Sequence, residues 1–533
     1  MEVLFKNDKR VYALLSIVGL ILYGKSFFFG FTYLDDNALV LNMVPVLQNF
    51  GTLFGAFAHD VFYGMNGATA YYRPLLTLSL MPEAIMGGAS PFLYHAINVA
   101  IHLTAACLVY KLFTKLKYSK IISVFVAGIF VVHPALTQAV AWIPGRNDSL
   151  LAVFVLTSFI FFINFIEDKK IGSLLGSTVF FACALFTKET ALIAPVLFLA
   201  YAWTREALTR DMLIKFCAVW FLVFLVWLPL RHAALSTSPL TTSTGDMIGS
   251  VVGNLPGALQ FFGKVLFPFN LSVLPTMQDT AFVWGILALA CVGLTLLFAV
   301  IYARTSRKQY AMISFGLFWF LLFLLPGLIQ SDPVKPVDFI EHRLYLPIIG
   351  IFIMLAESYW GRCLEPEGSR MAFAVCCGVV LLFFGITFMH ENVFADPLTF
   401  WKSAAATSPH SSFAQKNLGA MYYLNKQDDL ALTQYQRSLT LNPYEPMVRN
   451  NIGLIYANHG MSTEAEAAYK DEISFNPSYD AVHYNLGLLY YNTKRFSDAK
   501  KEWEKTLELN PNYGDAAQAL RSCILQKQCP LTP

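Results

Sequence analysis

The sequence contains little charge. Of its 533 residues only 14% are Asp, Glu, Lys or Arg, and the formal net charge is +3. Proteins that bind nucleic acids carry concentrated positive charge, so this composition gives no support for a nucleic-acid partner. Hydrophobic residues make up 56% of the chain and the mean hydropathy is +0.51, well outside the composition of an ordinary soluble domain. The composition predicts an integral membrane protein with the lipid bilayer as a partner.

Several motifs are also missing. The sequence has no Walker-type phosphate loop and no dinucleotide-binding fingerprint. The histidines have no third ligand at the spacing typical of a metal site. No small-residue cleavage site follows the first apolar run at "ILYGKSFFFGF", so we expect this run to stay in the protein as a helix.

Long apolar runs dominate the first three quarters of the chain. A spanning helix needs about 20 mostly apolar residues. The runs that approach this length are 11–31, 91–113, 120–136, 149–166, 171–187, 189–204, 212–230, 281–303, 309–329, 343–360 and 372–390. We therefore predict an all-α fold with about 11 spanning helices. The apolar stretch 250–275 is interrupted by Gly and Pro, and we interpret it as a re-entrant or interfacial segment.

The distribution of Lys and Arg predicts the orientation, because positively charged loops stay in the cytoplasm. Basic residues concentrate on one face, at 6–10, 111–120, 169–170, 205–215, 304–308 and 362–370. The N-terminus is therefore predicted to be cytoplasmic and the loop after the first span to lie outside. With an odd number of spans, the region after about residue 391 is outside as well, in the bacterial periplasm or, in a eukaryote, in the ER lumen.

A repeat of 34 residues follows the last apolar run. The tripeptide Asn-Leu/Ile-Gly recurs at 417–419, 451–453 and 485–487, which is the tetratricopeptide period. We assign 1–395 to the membrane domain and 396–533 to an extracytoplasmic α-solenoid. Its repeats lie at about 409–442, 443–476 and 477–510, with a cap at 511–526. In an oxidising compartment Cys523 and Cys529 could close a small disulfide loop.

Isolated polar residues lie near the outer ends of the apolar runs. Asp35 and Asp36, in "FTYLDDNALVLN", follow the first span. The others, all in apolar surroundings, are Arg73, His95, Asn98, His102, His133, Arg146, Asp148, Lys188, Glu189, Glu341, His342 and Arg343. Polar groups at membrane depth are costly and tend to face a bundle interior or a wet cavity. Together these residues predict an outward-facing polar cavity.

Simpler roles are also open for these residues. They are helix capping, ion pairing at helix ends and hydrogen bonding between helices. Asp35 and Asp36 are suited to helix capping. Lys188–Glu189 and Glu341–Arg343 are suited to ion pairing, and His95, Asn98 and His102 are suited to hydrogen bonding between helices.

An acid pair near isolated cations fits the chemistry of sugar transfer from a lipid phosphate. A carboxylate can accept the proton of a hydroxyl nucleophile, and Lys or Arg can stabilise a departing phosphate by charge-assisted hydrogen bonds. Two adjacent carboxylates can also hold a divalent metal ion together with phosphate oxygens. No cofactor is required by the sequence, and a divalent metal stays open as an alternative.

Short motifs spread over nearly the whole chain resemble one family. They are "YLDD", "YYRPL", "YHAINVAIH", "HPALTQAVAWIPGRNDSL", "TKE" and "EHRLYLP", followed by the repeats. The chain resembles the transmembrane and tetratricopeptide-repeat (TMTC) protein O-mannosyltransferases and their prokaryotic relatives, in the GT-C glycosyltransferase superfamily. Three repeats, fewer than animal members carry, favour a bacterial or archaeal relative.

The resemblance implies a GT-C-type membrane domain and a function. The protein would transfer mannose or another hexose from a polyprenyl-phosphate donor to Ser or Thr of extracytoplasmic proteins, inverting the anomeric carbon, and the repeats would bind the acceptor protein or peptide. Asp35 would be the general base and Asp36 its supporting partner. The residues that would bind the donor phosphate are Lys188, Arg343, Arg73 and Arg146. The other polar residues would line the cavity.

Two other functions stay open. A lipid-linked glycan polymerase or ligase can also combine many spans with tetratricopeptide repeats, but it is expected to place key Arg and His residues in a large late outer loop. Here the late loop, 330–342, is short. An envelope assembly scaffold would use the membrane part only as an anchor, and an anchor needs no polar cavity.

Reporter fusions test the predicted orientation. Alkaline phosphatase fused after residue 400 should be active and β-galactosidase inactive, because the basic loops leave the repeats outside. The same reporters fused after residue 118, in a basic loop, should give the opposite pattern as a control. Cytoplasmic reporter activity after residue 400 would contradict both the orientation and the odd number of spans.

Overall fold

The structure is a computed structural model that describes residues 7–63, 71–235, 244–302, 306–329, 339–358, 361, 364, 370–526 and 529. Within these residues every regular element is a helix and none is a β-strand, which confirms the all-α fold class. Residues 330–338 of the late outer loop lie outside the described residues. The chain forms two compact units, which we call the helical unit (Met1–Phe400) and the repeat unit (Trp401–Pro533).

The helical unit consists of long apolar helices joined by short helical turns. Its longer helices are α1 (Asp8–Tyr23), α2 (Pro74–Gly87), α3 (Pro91–Lys115), α4 (Lys120–Val132), α5 (Arg146–Asp168), α6 (Ile171–Thr187), α7 (Ala194–Thr204), α8 (Arg210–Ala234), α9 (Thr244–Asn254), α10 (Pro256–Leu266), α11 (Val283–Tyr302), α12 (Arg307–Leu324), α13 (Ile348–Glu357) and α14 (Arg370–His390). Short turns include Asp36–Leu39, Thr137–Ala141, Glu189–Ile193 and Glu341–Leu344.

Fewer helices are long enough to span a membrane than the sequence predicted. Within the part of the chain that the structure describes, six stretches qualify by length and composition: Asp8–Phe28, Pro91–Lys115, Ile143–Asp168, Arg210–Ala234, Arg307–Leu328 and Arg370–Phe394. A seventh is formed if Lys120–Val132 and Pro134–Ala141, bent by 55° at their junction, count as one broken span. The other four predicted spans coincide with apolar stretches of fewer than 18 residues: Ile171–Thr187, Glu189–Thr204, Ile348–Glu357 and, in α11, the part whose side chains are described, Val283–Leu297. The count of eleven is therefore not confirmed, because hydropathy alone does not separate a spanning helix from a shorter buried one.

Two features of the sequence shape the packing of these helices. The stretch 250–275 is broken at Leu255, where Pro256 begins α10, because proline lacks the amide that would continue α9. Helices α12 and α13 approach closely at Gly316 and Gly350. A Cβ atom on either glycine would collide with the carbonyl oxygen of the other, so this crossing requires small residues.

Arg146, the first residue of α5, joins three helices from a fully buried position. Its Nη1 lies 2.5 Å from Oε1 of Glu83 in α2 and donates to the carbonyl of Ser79 (2.7 Å). Its Nε donates to Oδ1 of Asn98 (2.6 Å) and its Nη2 to the carbonyl of Tyr94 (3.0 Å), both in α3. A buried charge is tolerated when it is paired and hydrogen-bonded, so this junction fixes the relative positions of α2, α3 and α5.

Asn98 extends the same junction toward the turn that precedes α5. Its Nδ2 lies within hydrogen-bond distance of the carbonyls of Val140 (3.3 Å), Trp142 (3.2 Å) and Ile143 (3.2 Å). Since Trp142 contacts the loop of the acid pair, as described below, Asn98 sets the position of that contact through the backbone.

The loop that carries Asp35 and Asp36 packs against α2. Leu39, Val40 and Met43 form one apolar cluster with Leu76 and Leu80. All five side chains are buried, so hydrophobic burial holds the loop in place.

The repeat unit contains pairs of helices. Helix α15 (Pro397–Thr407) begins just before this unit, and the helices within it are α16 (Ser412–Leu424), α17 (Asp428–Leu441), α18 (Val448–Asn458), α19 (Ser462–Phe475), α20 (Asp480–Asn492), α21 (Phe496–Leu509) and α22 (Gly514–Leu525). In each repeat the glycine of the tripeptide contacts an aromatic ring of the second helix; these pairs are Gly419–Tyr435, Gly453–Tyr469 and Gly487–Trp503. Cys523 and Cys529 form a disulfide, as expected.

Removing one partner tests the buried pair of Arg146 and Glu83. Glu83→Gln keeps the side-chain shape but leaves the Arg146 charge unneutralised, so we expect a loss of about 3–5 kcal/mol in stability. Thermal unfolding of the purified protein in detergent would measure it. Glu167→Gln is the matched control: Glu167 is 40% exposed and pairs with Lys115 and Lys117, and exposed pairs contribute only about 0–1 kcal/mol. Equal losses in both variants would contradict the structural role of Arg146.

Candidate active site

The acid pair lies at the start of a four-residue helix, Asp36–Leu39. The backbone carbonyl of Asp35 accepts hydrogen bonds from the amides of Ala38 (3.1 Å) and Leu39 (2.9 Å). Its side chain makes no capping hydrogen bond and is partly exposed. The helix-capping alternative thus does not account for the Asp35 carboxylate.

Asp36, in contrast, is buried, with 1% of its surface exposed. Its Oδ2 accepts hydrogen bonds from the amide (3.0 Å) and the hydroxyl of Thr32. Its Oδ1 is buried without a hydrogen-bond partner among the described residues. Burial raises the pKa of Asp36, while the hydrogen bonds from Thr32 oppose that shift. One neighbouring acid is therefore accessible and the other is held in a fixed position.

Trp142 connects this loop to the second half of the site. Its indole Nε1 donates to the hydroxyl oxygen of Thr32 (3.1 Å), and its ring centroid lies 5.5 Å from that of His342. His342 Nε2 is 3.6 Å from Oδ2 of Asp148. A continuous series of contacts thus runs from Asp36 to Asp148.

Asp148 pairs with Lys188, which was predicted to bind phosphate. Lys188 Nζ donates to both carboxylate oxygens of Asp148 (2.7 Å each) and to Oδ1 of Asn147 (3.0 Å). Asn147 and Asp148 lie in the first turn of α5, and Lys188 lies between α6 and the turn Glu189–Ile193. The ion pair expected between the neighbours Lys188 and Glu189 is not the one that forms.

Glu189 instead binds the segment around Arg73. Its Oε2 is 3.2 Å from Nε of Arg73, and its Oε1 accepts the amide of Tyr72 (2.7 Å). The Arg73 guanidinium also lies over the ring of Tyr71, with 4.4 Å to the ring centroid. Arg73 and Lys188 are therefore each neutralised by a carboxylate that is distant in sequence.

Three cations act on the imidazole of His342. Burial lowers the pKa of His342 to about 3; Asp148 opposes this shift, whereas the charges of Lys188, Arg343 and Arg73 add to it. Burial also lowers the pKa of Lys188, and Asp148 opposes that change. We call Arg73, Lys188 and Arg343 the basic group. Arg343 Nη1 donates to the carbonyl of Gly327 (2.9 Å).

Glu341 forms a second buried pair, with Lys264 rather than with Arg343. Its Oε1 accepts from Lys264 Nζ (2.7 Å) and from the amide of Ser272 (2.7 Å), and its Oε2 lies 3.6 Å from Nε2 of His390. Lys264 is 2% exposed. Sequence reasoning missed this partner, although a single Lys in the apolar stretch 250–275 was a signal for it.

The remaining predicted cavity residues join elements of the fold. His95 Nε2 contacts the carbonyl of Gly30 (3.3 Å). His102 bonds the Tyr345 hydroxyl (2.7 Å) and the Val131 carbonyl (3.1 Å), and His133 bonds the Val265 carbonyl (2.9 Å). The contact of His102 with Val131 joins α3 to α4 and is the kind of bond between helices that the sequence left open for it, whereas His95 contacts a residue outside the helices. Arg146 and Asn98 are likewise occupied in the junction described above.

No resident metal centre is evident in the described parts of the chain, where no group of three or more His, Cys, Asp or Glu side chains is placed to hold an ion. The acid pair alone supplies two carboxylates, which is fewer than the ligands that Mg²⁺ or Ca²⁺ takes from protein, water and substrate together.

Comparisons with known proteins match both units. A family model described as Tetratricopeptide repeat matches residues 480–513. Protein O-mannosyl-transferase Tmtc1 of Drosophila melanogaster is 30% identical over 191 residues, 34% of this chain and 21% of that protein. Protein O-mannosyl-transferase TMTC3 of Mus musculus is 24% identical over 480 residues, 80% of this chain and 50% of that protein.

Solved structures align only in part. The first TPR of Spaghetti (RPAP3) bound to HSP90 peptide SRMEEVD is 25% identical and covers 22% of this chain and 93% of that one, with a TM-score of 0.21, which is too low to support an argument. The chain spans half or less of the length of the curated relatives named above. The resemblance drawn from the short motifs is nevertheless confirmed, because this chain is similar to curated TMTC protein O-mannosyl-transferases and carries a match to the tetratricopeptide-repeat model.

Proposed function

We propose that this protein is a membrane glycosyltransferase that moves mannose or another hexose from a polyprenyl-phosphate donor to Ser or Thr of an extracytoplasmic protein. The observation that carries the proposal is the series of contacts from Asp36 through Thr32, Trp142 and His342 to Asp148 and Lys188. It joins an acid pair and a basic group that are far apart in sequence. The names of the curated relatives support the same activity.

In the proposed reaction Asp35 is the general base. The acceptor hydroxyl oxygen bonds to the anomeric carbon of the sugar as the bond from that carbon to the phosphate oxygen breaks. The electron pair stays with the phosphate, and the hydroxyl proton passes to the Asp35 carboxylate. Attack opposite the departing phosphate inverts the anomeric carbon. Asp35 is partly exposed and Asp36 is buried. This difference supports Asp35 as the proton acceptor and Asp36 as the residue that positions it.

The departing phosphate is bound by the basic group. Lys188 and Arg73 are paired with Asp148 and Glu189, so the cations are held near their working positions without an unpaired buried charge. The donor phosphate would share or replace these carboxylate contacts. Arg146 is left out of the proposed phosphate site, because Glu83, Asn98, Ser79 and Tyr94 already occupy its guanidinium.

The proposal includes an acceptor partner and an orientation. The repeat unit binds the acceptor protein, and the acid pair, the basic group and the repeats work on the extracytoplasmic side of the membrane. The loops at the opposite ends of the helices carry most of the Lys and Arg residues, and positively charged loops stay in the cytoplasm, which supports this orientation.

Replacement of Asp35 tests the base. Asp35→Asn keeps nearly the same shape but cannot take the proton, so single-turnover transfer should fall by about 10²–10⁴-fold. Donor binding and folding should be retained, because a partly exposed carboxylate contributes little to stability. The assay is transfer from purified polyprenyl-phosphate mannose to a Ser/Thr peptide, read by mass spectrometry so that hexosylated peptide and lipid-linked polymer are distinguished.

Asp36→Asn is the matched variant and should lose less activity if Asp36 only positions its neighbour. Equal losses in both variants, together with inhibition of the wild type by a chelator, would instead assign the pair to a metal ion. A wild-type rate for Asp35→Asn would remove the proposed base. Polymer as the only product would favour a glycan polymerase or ligase.

The basic group is tested through donor affinity. Lys188→Ala and Arg343→Ala should each raise the KM for the donor by about 10- to 100-fold, because each removes a charge-assisted hydrogen bond to phosphate. The KM for the acceptor peptide should not change, and Lys188→Arg should restore part of the donor affinity. Lys115→Ala, at an exposed pair with Glu167, is the control. Unchanged donor KM in both alanine variants would make these residues structural.

A further inference from the structure

The second repeat departs from the other two where the end of its second helix contacts the start of its first helix. Three residues 34 apart occupy equivalent positions near the end of the second helix: Ser438, Glu472 and Thr506. The Ser438 hydroxyl donates to the carbonyl of Ser412 (2.8 Å). The Thr506 hydroxyl lies 3.4 Å from the carbonyl of the equivalent residue, Asp480, and 3.0 Å from the carbonyl of Glu502 in its own helix. The Glu472 carboxylate cannot donate in this way, so it makes different contacts.

Glu472 accepts hydrogen bonds from three amides. They belong to Met447 (2.7 Å), Arg449 (3.1 Å) and Asn450 (3.4 Å). Met447 has φ +72°, and α18 begins after it, at Val448. The equivalent helices α16 and α20 begin at Ser412 and Asp480, both of which correspond to position 446. Helix α18 therefore begins two residues later than its equivalents. The carboxylate therefore delays the start of α18 and reshapes the loop before it.

The reshaped loop forms one side of a cavity of about 290 Å³. Glu472 lines it together with Tyr444, Glu445, Arg449 and Phe475. Pro446 and Asn476, the latter directly after the second helix of the repeat, complete the lining. The cavity thus lies by the loops between repeats.

Aromatic rings form the open part of the cavity. Tyr444 is 68% exposed and Phe475 is 50% exposed. Their ring centroids lie 5.2 Å apart in an edge-to-face arrangement, and the Arg449 guanidinium lies over the Phe475 ring, 4.6 Å from its centroid. The equivalent positions in the neighbouring repeats hold His410 and Ser478 for Tyr444, Gln415 and His483 for Arg449, and Leu441 and Leu509 for Phe475. The combination of a tyrosine, an arginine and a phenylalanine is thus particular to this repeat.

The charge balance of the lining favours a neutral ligand. Glu445 is bound by Lys416 (2.7 Å) and Ser412 (2.7 Å), and Glu472 is held by the three amides. Arg449 uses Nη1 to donate to the carbonyl of Pro443 (2.8 Å). Two carboxylates beside one guanidinium disfavour a phosphate or another anion. The hydrogen-bond donors and acceptors of the lining suit a ligand with many hydroxyl groups, and the exposed rings suit a ligand that also has an apolar face.

We propose that this cavity binds a hexopyranose, such as the sugar on a glycosylated segment of an acceptor. Its size fits one sugar ring. The aromatic rings would contact the C–H face of the sugar, while Arg449, Asn476 and the two carboxylates would bond its hydroxyls. This site goes beyond the proposed transfer reaction, and its occupancy needs neither the lipid donor nor turnover.

Substitutions from the neighbouring repeats test the site with little risk to folding. The whole protein in detergent is titrated with methyl α-mannopyranoside and methyl α-glucopyranoside, using ligand-observed saturation-transfer NMR. We expect binding by the wild type and a loss of about tenfold in affinity for Tyr444→Ser, Arg449→Gln and Phe475→Leu. Thermal unfolding of each variant checks that the repeat unit is intact.

Phe413→Met is the matched control. It also replaces an aromatic residue by its equivalent in the next repeat, Met447, at a position that does not line the cavity. The proposal would be overturned if the wild type bound neither hexoside, or if the wild type and all variants bound the hexosides with equal affinity. Binding of an unglycosylated Ser/Thr peptide in place of the hexosides, lost in the same three variants, would also overturn it and make the cavity a peptide site. Neither result depends on transfer activity, so the outcome is separate from that of the proposed function.

Discussion

The structure of the helical unit depends on neutralising the charges that its apolar helices bury. The pair of Arg146 and Glu83 is completely enclosed, and it gathers α2, α3 and α5 with hydrogen bonds to Asn98 and Tyr94. Either charge without the other would be strongly destabilising. Asn98 passes this constraint on to the backbone at Trp142, so the position of the candidate site follows from the pairing of one buried ion.

The same constraint applies to the cations that we propose as the phosphate-binding group. Lys188 and Arg73 each have a carboxylate partner, and these partners are less buried than Glu83, with 10% and 22% of their side-chain surface exposed. In the proposed function a phosphate shares the cation of a partly accessible pair, whereas the enclosed pair of Arg146 and Glu83 offers a phosphate no access. Degree of burial, rather than residue type, thus separates cations suited to binding from those suited to structure.

The repeat unit shows a related effect on a smaller scale. Its glycines and aromatic rings repeat with the 34-residue period, and this regularity sets the paired helices. A single change from hydroxyl to carboxylate at Glu472 reverses the direction of one hydrogen bond and moves the start of a helix. The cavity described above lies beside this altered loop. Local hydrogen-bond chemistry can therefore create a site within a repetitive fold.

The sequence by itself determined the helical class, the membrane character, the repeat period, the cysteine pair and the resemblance to the TMTC proteins, because each depends on composition or on spacing along the chain. It also identified the acid pair and the basic group as candidates. The number of long spans was decided only by the tertiary structure, since short and long apolar helices have similar hydropathy. The structure also chose the partners: Lys188 with Asp148, Arg73 with Glu189, Glu341 with Lys264, and Arg146 with Glu83. Ion pairing depends on distance in space, and helix packing brings together charges that lie tens of residues apart in the chain.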